Sequence, residues 1–209
     1  CSDCNSYNRS KTFRDGAHML EIRATDKAGN VAITILNFEV DSKEPRISAI
    51  EPKNNGHTNG AFSVKYNEEN VKSVSLFYGA NAENEAEVFF CPSGRNAVCD
   101  VAVDLDDYDG QQIQYYFVVR DNFNEITSKT YTVNADTTPP VLNLVSPVNG
   151  THDSIRIIAS ISEEVDLEYS DNGGAFRSLC SSCISYNRTK YIGNGFHELV
   201  VRATDPAGN

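Results

Sequence analysis

Six cysteines are the residues best able to do chemistry, and they fall into three local pairs: Cys1 with Cys4, Cys91 with Cys99, and Cys180 with Cys183. An even count beside glycosylation sequons points to an oxidising, extracellular or cell-surface setting and predicts three short-range disulfides. Two rivals use the same atoms. A thioredoxin-like site needs its Cys-x-x-Cys in a βαβ setting, which the pattern lacks. A four-cysteine zinc site needs two such pairs close together, and here they lie 179 residues apart. Loops this small constrain the unfolded chain only modestly, so the use of each bridge would be to pin a loop against proteolysis.

The acids come next. The run DLDDYDG places Asp104, Asp106, Asp107 and Asp109 ahead of Gly110. It resembles half of a calcium loop, but lacks the downstream Glu and flanking helices of an EF-hand. The plainer reading is a solvated turn before a strand. Asp41 and Asp136 sit in proline-containing joints, where a calcium ion would stiffen the chain and screen its charge. Calcium is the only cofactor these residues suggest. The paired glutamates at 68–69 and 163–164 read as exposed strand ends.

Three sequons, at Asn8, Asn149 and Asn187, make candidate glycosylation sites near loops or strand ends; otherwise they are asparagines in turns. His18 and His197 stand at strand entries, where the ring can bond a nearby backbone group; metal binding or catalysis is the rival role. No Gly-rich phosphate loop, nucleophile elbow or His-Glu-x-x-His pattern occurs. These residues do not read as an enzyme.

The elements that position them are strands. Val, Ile, Tyr, Phe and Thr alternate with polar residues in short runs bounded by Gly, Asn, Asp and Pro, as in SIRIIASIS (154–162), KSVSLFYG (72–79), QIQYYFVVRD (112–121) and HELVVRATD (197–205). In the last run Leu199, Val201 and Ala203 share one face, while Glu198, Val200 and Arg202 share the other. No helix-length stretch has a 3.6-residue period and caps. Many short strands with regular turns predict β-sandwiches. The 209 residues carry 29 acids against 18 bases, a formal charge of −11 that excludes the usual basic nucleic-acid footprint and argues against docking on anionic lipid. No apolar run reaches the roughly 20 residues needed to cross a bilayer as a helix.

Self-similarity sets the organisation. Residues 1–30 and 180–209 agree at 18 of 30 positions, at an offset of 179. A weaker repeat aligns Pro45 with Pro140 and Pro52 with Pro147, each pair 95 residues apart. Short Asp/Pro joints between strand-like runs mark stiff domain linkers. The expected domains are 1–42, the C-terminal part of one; 43–136, complete; and 137–209, lacking a last strand of the kind seen at 31–40. The chain then reads as a window cut from a longer tandem array. The alternative is a subunit whose missing strand comes from a neighbour.

The stretch GFHELVVRATDPAGN (195–209) resembles the closing hairpin of bacterial and archaeal immunoglobulin-like surface repeats. Residues 16–30 carry the same pattern through Gly16, His18, Leu20, Ile22, Ala24, Asp26, Gly29 and Asn30. DTTPPVLNLVSPVNGT (136–151) resembles the start of such a module, and the middle module is a looser match at Asp121, Asn122, Phe123 and Asn124. Asp26 and Asp205 can accept backbone N–H bonds across a tight turn. The resemblance implies an all-β fold of tandem immunoglobulin-like β-sandwich domains, truncated at both ends. It implies a structural repeat segment of an extracellular filament, stalk or cell-surface fibre, with neighbouring copies of the same domains as partners. The alternative is an adhesin or carbohydrate-binding array, whose partners would be surface glycans or other cells.

Overall fold

The computed structural model describes residues 4–209, and these are strand and loop with one short 3-10 turn at Asp106–Tyr108. The strands fall into three groups along the chain. The first is a two-stranded antiparallel hairpin, β1 (Gly16–Thr25) and β2 (Val31–Val40), paired from Gly16 opposite Val40 to Thr25 opposite Val31. Asp26 closes its turn by accepting bonds from the Asn30 backbone N–H and side-chain amide, both at 2.8 Å.

The central group is a sandwich. One sheet holds β3 (Arg46–Glu51), β5 (Ala61–Glu68) and β8 (Gly94–Ala102). The other runs β4 (His57–Thr58), β11 (Tyr131–Ala135), β9 (Gln112–Arg120), β6 (Ser73–Gly79) and β7 (Asn84–Val88), with β10 (Glu125–Thr127) also on β9. Their facing sides form a core in which Val64, Tyr66, Val74, Leu76, Tyr115, Phe117 and Val133 are wholly buried. Apolar area removed from water stabilises this packing by about 25 cal/mol per Å². Two tyrosines spend their hydroxyls on loop carbonyls, Tyr66 on Pro92 at 2.6 Å and Tyr115 on Pro52. Burial and the charge of Glu51 both push the Tyr115 hydroxyl's pKa upward, burial the more.

The last group is one strongly bent sheet: β12 (Leu142–Ser146), β13 (Ile155–Asp171), β14 (Arg177–Lys190) and β15 (Leu199–Thr204). The 17-residue β13 does the work of β5 and β6 together. Its first half pairs with β12 and β14; its second half pairs with β15, Asp166 opposite Thr204 through Asp171 opposite Leu199. Ile157, Ala159, Ile161, Val165, Leu167 and Tyr186 form its core. The chain is therefore all-β with an immunoglobulin-like sandwich arrangement.

Both described disulfides sit where the chain crosses from one face of the fold to the other. Cys91–Cys99 ties the segment after β7 to β8, and Cys180–Cys183 closes a corner within β14, where its register against β13 shifts. No described cysteine is free; the Cys1–Cys4 pairing falls outside the described residues because Cys1 does.

Candidate functional site

Strand periodicity brings carboxylates to the joints. In β5 the inward positions are Phe62, Val64, Tyr66 and Glu68, so alternation carries an acid onto the core side. In β13 the inward series Ile157, Ala159, Ile161 continues to Glu163. These glutamates are not the exposed strand ends expected from the sequence: Glu68 is 5% exposed and Glu163 is half-buried. Each lies beside the Asp that opens a joint and the Asp that closes the following turn.

Two trios result. Asp41, Glu68 and Asp121 bring one carboxylate oxygen each within 4.8 Å of one another, and so do Asp136, Glu163 and Asp205. Asp41 and Asp136 are 95 residues apart, as are Glu68 and Glu163, so the weak repeat reproduces two members of the cluster; the third, Asp121 or Asp205, opens the turn after the strand that follows. Asp121 accepts bonds from the backbone N–H groups of Phe123 and Asn124, and Asp205 from those of Ala207, Gly208 and Asn209. Asn70 donates its side-chain amide to Asp41 at 2.9 Å, and Asn209 donates its own to the Asp136 carbonyl at 2.7 Å. Among the described residues none of the six acids forms an ion pair with Lys, Arg or His.

The electrostatic consequence is the same at both places. Burial, then the charges of Asp41 and Asp121, push the Glu68 carboxyl above its ordinary value. Burial, then Asp136 and Asp205, do this to Glu163. Three hard oxygen ligands this close fit around one cation with bonds of about 2.3–2.6 Å, whose opposed ligands lie roughly 5 Å apart. The donor set is all oxygen, which suits calcium or magnesium rather than zinc or copper.

The acidic loop serves another purpose. Asp104 accepts from the Asp106 N–H at the entry to the 3-10 turn, while Asp106 and Asp107 are exposed. Asp109 reaches forward and accepts from the Thr137 N–H at 2.7 Å and the Thr138 hydroxyl at 2.8 Å. The loop carboxylates thus fall outside both trios. Asp15 makes the matching clamp, accepting from the Ser42 N–H and hydroxyl at 3.1 and 2.7 Å, with Lys43 at 3.3 Å.

The histidines bond backbone. His18 meets the Arg14 carbonyl at 2.6 Å; His197 meets the Gly193 carbonyl through Nε2 at 2.8 Å and Asp171 through Nδ1 at 2.9 Å. Both nitrogens of His197 are therefore engaged, and neither faces a nucleophile. Asn8 and Asn149 are exposed in irregular segments. Asn187 is exposed too, but it lies inside β14 rather than in a loop, its amide oxygen held by Arg156 at 2.7 Å.

No family model matches the chain, and no curated protein matches it. Solved structures do. The chicken CNTN1 FN1–FN3 domains align over 91% of this chain and 73% of theirs, at 14% identity and a TM-score of 0.46. Dimeric latent PorU from Porphyromonas gingivalis aligns over 91% of this chain at 13% identity and a TM-score of 0.34; the chain spans 21% of that protein's length.

Proposed function

We propose that this chain is a structural, non-enzymatic segment of an extracellular filament, stalk or cell-surface fibre of the bacterial and archaeal immunoglobulin-like type. Its modules are 1–42, 43–136 and 137–209, and its joints are stiffened by calcium. The observation that carries the reading is the recurrence of the bare carboxylate trio at both joints. Each trio sets the joint acid that ends one module beside two acids in the body of the next. A cation held there resists bending between modules, and removing it leaves like charges that repel. The Asp15 and Asp109 clamps act in the same direction, since each fixes the joint's first residues to the preceding strands. Disulfides at the crossovers and export-linked sugars on Asn8, Asn149 and Asn187 suit an exposed, protease-rich setting.

The test is isothermal calcium titration of the whole chain with small-angle scattering in parallel. Two sites and a longer, stiffer particle in calcium than in chelator support the reading. No calcium uptake and an unchanged profile would overturn its calcium-stiffened joints.

The adhesin alternative has one observation in its favour. Phe89, Phe90 and Phe123 are 57%, 97% and 73% exposed. Val88 pairs with Val74, and Val74 with Val119, so all three phenylalanines lie at one end of the larger central sheet. Exposed rings at a loop end can stack on sugars. Glycan-array binding lost in Phe90→Ala would favour this alternative.

A further inference from the structure

Each described disulfide closes a loop that lies against the strand carrying a trio's glutamate. In the central sandwich the Cys91–Cys99 loop contains Gly94, the residue paired with Glu68. Between Tyr66 and Glu68 the register slips, so that two steps along β5 match three along β8, from Ala97 to Gly94. The spare residue is absorbed at Asn96, which sits at φ 57° and donates its N–H to the Asn67 side chain at 2.9 Å. A bulge of this kind re-aims the side chains beside it. The same loop accepts from the Tyr66 hydroxyl through the Pro92 carbonyl at 2.6 Å, and from the Val71 N–H through the Ser93 hydroxyl at 3.2 Å. One cross-linked loop thus holds Tyr66, Asn67, Glu68 and Val71.

The last sheet uses the same device. Two steps along β13, from Val165 to Leu167, match three along β14, from Cys183 to Cys180. Here Ser182 sits at φ 48° and donates its N–H to the Asp166 carboxylate at 3.3 Å. On one side of this anchor, Ser160 pairs with Ser185 and Val165 with Cys183, so residues 161–164 bulge out with Glu163 among them. On the other side Asp166 pairs with Thr204, the residue before Asp205. The Cys180–Cys183 corner therefore anchors β13 between the places where two members of its trio arise.

We infer that the two disulfide loops are braces that position the carboxylate trios, so that thiol oxidation sets their cation affinity. This deepens the calcium reading of the joints and rests on it. A non-glycine residue stays at positive φ only where its surroundings over-determine it; at Asn96 and Ser182 the cross-link supplies that constraint. Reduction by a small dithiol delivers two electrons and two protons to each bridge. The S–S bond opens to two protein thiols, and the reductant leaves as its own disulfide. The loop then loses its closure, the bulge relaxes, and the glutamate is no longer held beside its two aspartates.

Calcium titration of the whole chain reads each trio alone once the other is disabled by Glu163→Gln or Glu68→Gln. In the Glu163→Gln background, replacing Cys91 and Cys99 together by Ser should weaken the remaining site by about 10–100-fold, as loss of outer contacts does at metal sites. Replacing Cys180 and Cys183 there should shift it by less than about twofold. In the Glu68→Gln background the two replacements should exchange effects, a cross-over that general loss of stability does not produce. Asn67→Ala keeps both bridges and should weaken the first trio alone. A dithiol should reproduce both losses in the parent chain, and reoxidation should restore the affinity. Equal weakening of a site by either cysteine pair would overturn the inference. So would calcium binding that neither the cysteine replacements nor Asn67→Ala alters, and the calcium reading would then still stand. No uptake in either background with both bridges intact would end the calcium reading and this inference with it.

Discussion

Asp109 and Thr137 are 28 residues apart in sequence and joined by a 2.7 Å hydrogen bond, carboxylate to backbone N–H. Asp15 and Ser42 make the same bond at the preceding joint, at 3.1 Å. In each case an Asp just before a strand-opening region holds the first residue after a joint's own Asp. The joint is thus held by its clamp, and again where Asn70 donates to Asp41 and Asn209 donates to the Asp136 carbonyl.

The clamps set a first expectation. The Thr137 N–H, followed by the Thr138 hydroxyl, holds the Asp109 carboxyl below its ordinary value; the Ser42 hydroxyl, with help from Lys43, does so for Asp15. A lowered folded value means the stabilisation is present above the unfolded carboxylate range, near 3.8, and is lost as pH falls through the folded value. Carboxyl-carbon NMR titration should place both midpoints below 3.8. The Thr137 and Ser42 amide resonances should move with the same midpoints. Asp109→Asn should abolish the Thr137 titration and leave that of Ser42 intact.

The trios carry the opposite sign. With chelator present, Glu68 and Glu163 bind their protons more tightly folded than unfolded. Between 4.5 and their folded values, stability then falls as pH rises. Calcium should cancel that slope and raise the melting temperature. At about 100 times its dissociation constant a ligand adds roughly 2.7 kcal/mol, and each kcal/mol moves a domain of this size by about 4–8 °C. Glu68→Gln should lower the calcium-dependent rise while matching or exceeding the wild-type melting temperature in chelator, because it removes a buried charge that has no counter-ion. Calorimetry with and without calcium across pH 4.5–7 reads all of this. A Glu68→Gln protein that melts lower in chelator and keeps the full calcium response would count against the site.

The bridges should separate by loop size. In the chain-entropy account Cys91–Cys99, closing the longer loop, is worth about 2.5 kcal/mol, and Cys180–Cys183 about 2 kcal/mol. Replacing Cys91 and Cys99 together by Ala also removes packing, since Cys99 lies in the core. That variant should lose about 2–4 kcal/mol in urea unfolding, and the Cys180/Cys183 double variant less.

Much of this was legible in the sequence, and the parts that were not have physical reasons. Alternation located β6, β9 and β15 to within a residue or two and β13 at its start, because a half-buried strand must repeat every second position; β13 runs nine residues past the expected 162. The same alternation, extended one step past Tyr66 and past Ile161, would have put Glu68 and Glu163 indoors; charge suggested the surface and parity won. DLDDYDG was legible as acidic but not as a clamp, since its partners, Thr137 and Thr138, are brought near only by folding. Identical sequence also does not suffice. Cys4–Lys11 is irregular while the nearly identical Cys183–Lys190 lies in β14, because β13 stands beside the second, whereas among the described residues no strand ladder includes the first. Hydrogen bonds to a neighbour, rather than local preference, decide whether that segment is a strand.

His197 provides a last, independent check on the final sheet. The Asp171 carboxylate, followed by the Gly193 carbonyl, favours its protonated ring and raises its pKa above 6.5. Asp171 ends β13 and pairs with Leu199, so this contact staples the entry of β15 to the strand on which it lies. A raised folded value means the contribution is fully present below the unfolded value near 6.5, and fades as pH rises through the folded one. His18, its counterpart in the repeat, bonds the Arg14 carbonyl and packs against the tilted rings of Phe13 and Phe38 instead of meeting a carboxylate. Ring-proton NMR should therefore give His197 a midpoint above 6.5, and Asp171→Asn should lower it. Amide exchange at Leu199–Thr204 should quicken on raising the pH from 6 to 8 by more than the intrinsic rate, and Asp171→Asn should abolish that excess. An excess that persists in Asp171→Asn would show that something other than this pair secures the edge of β15.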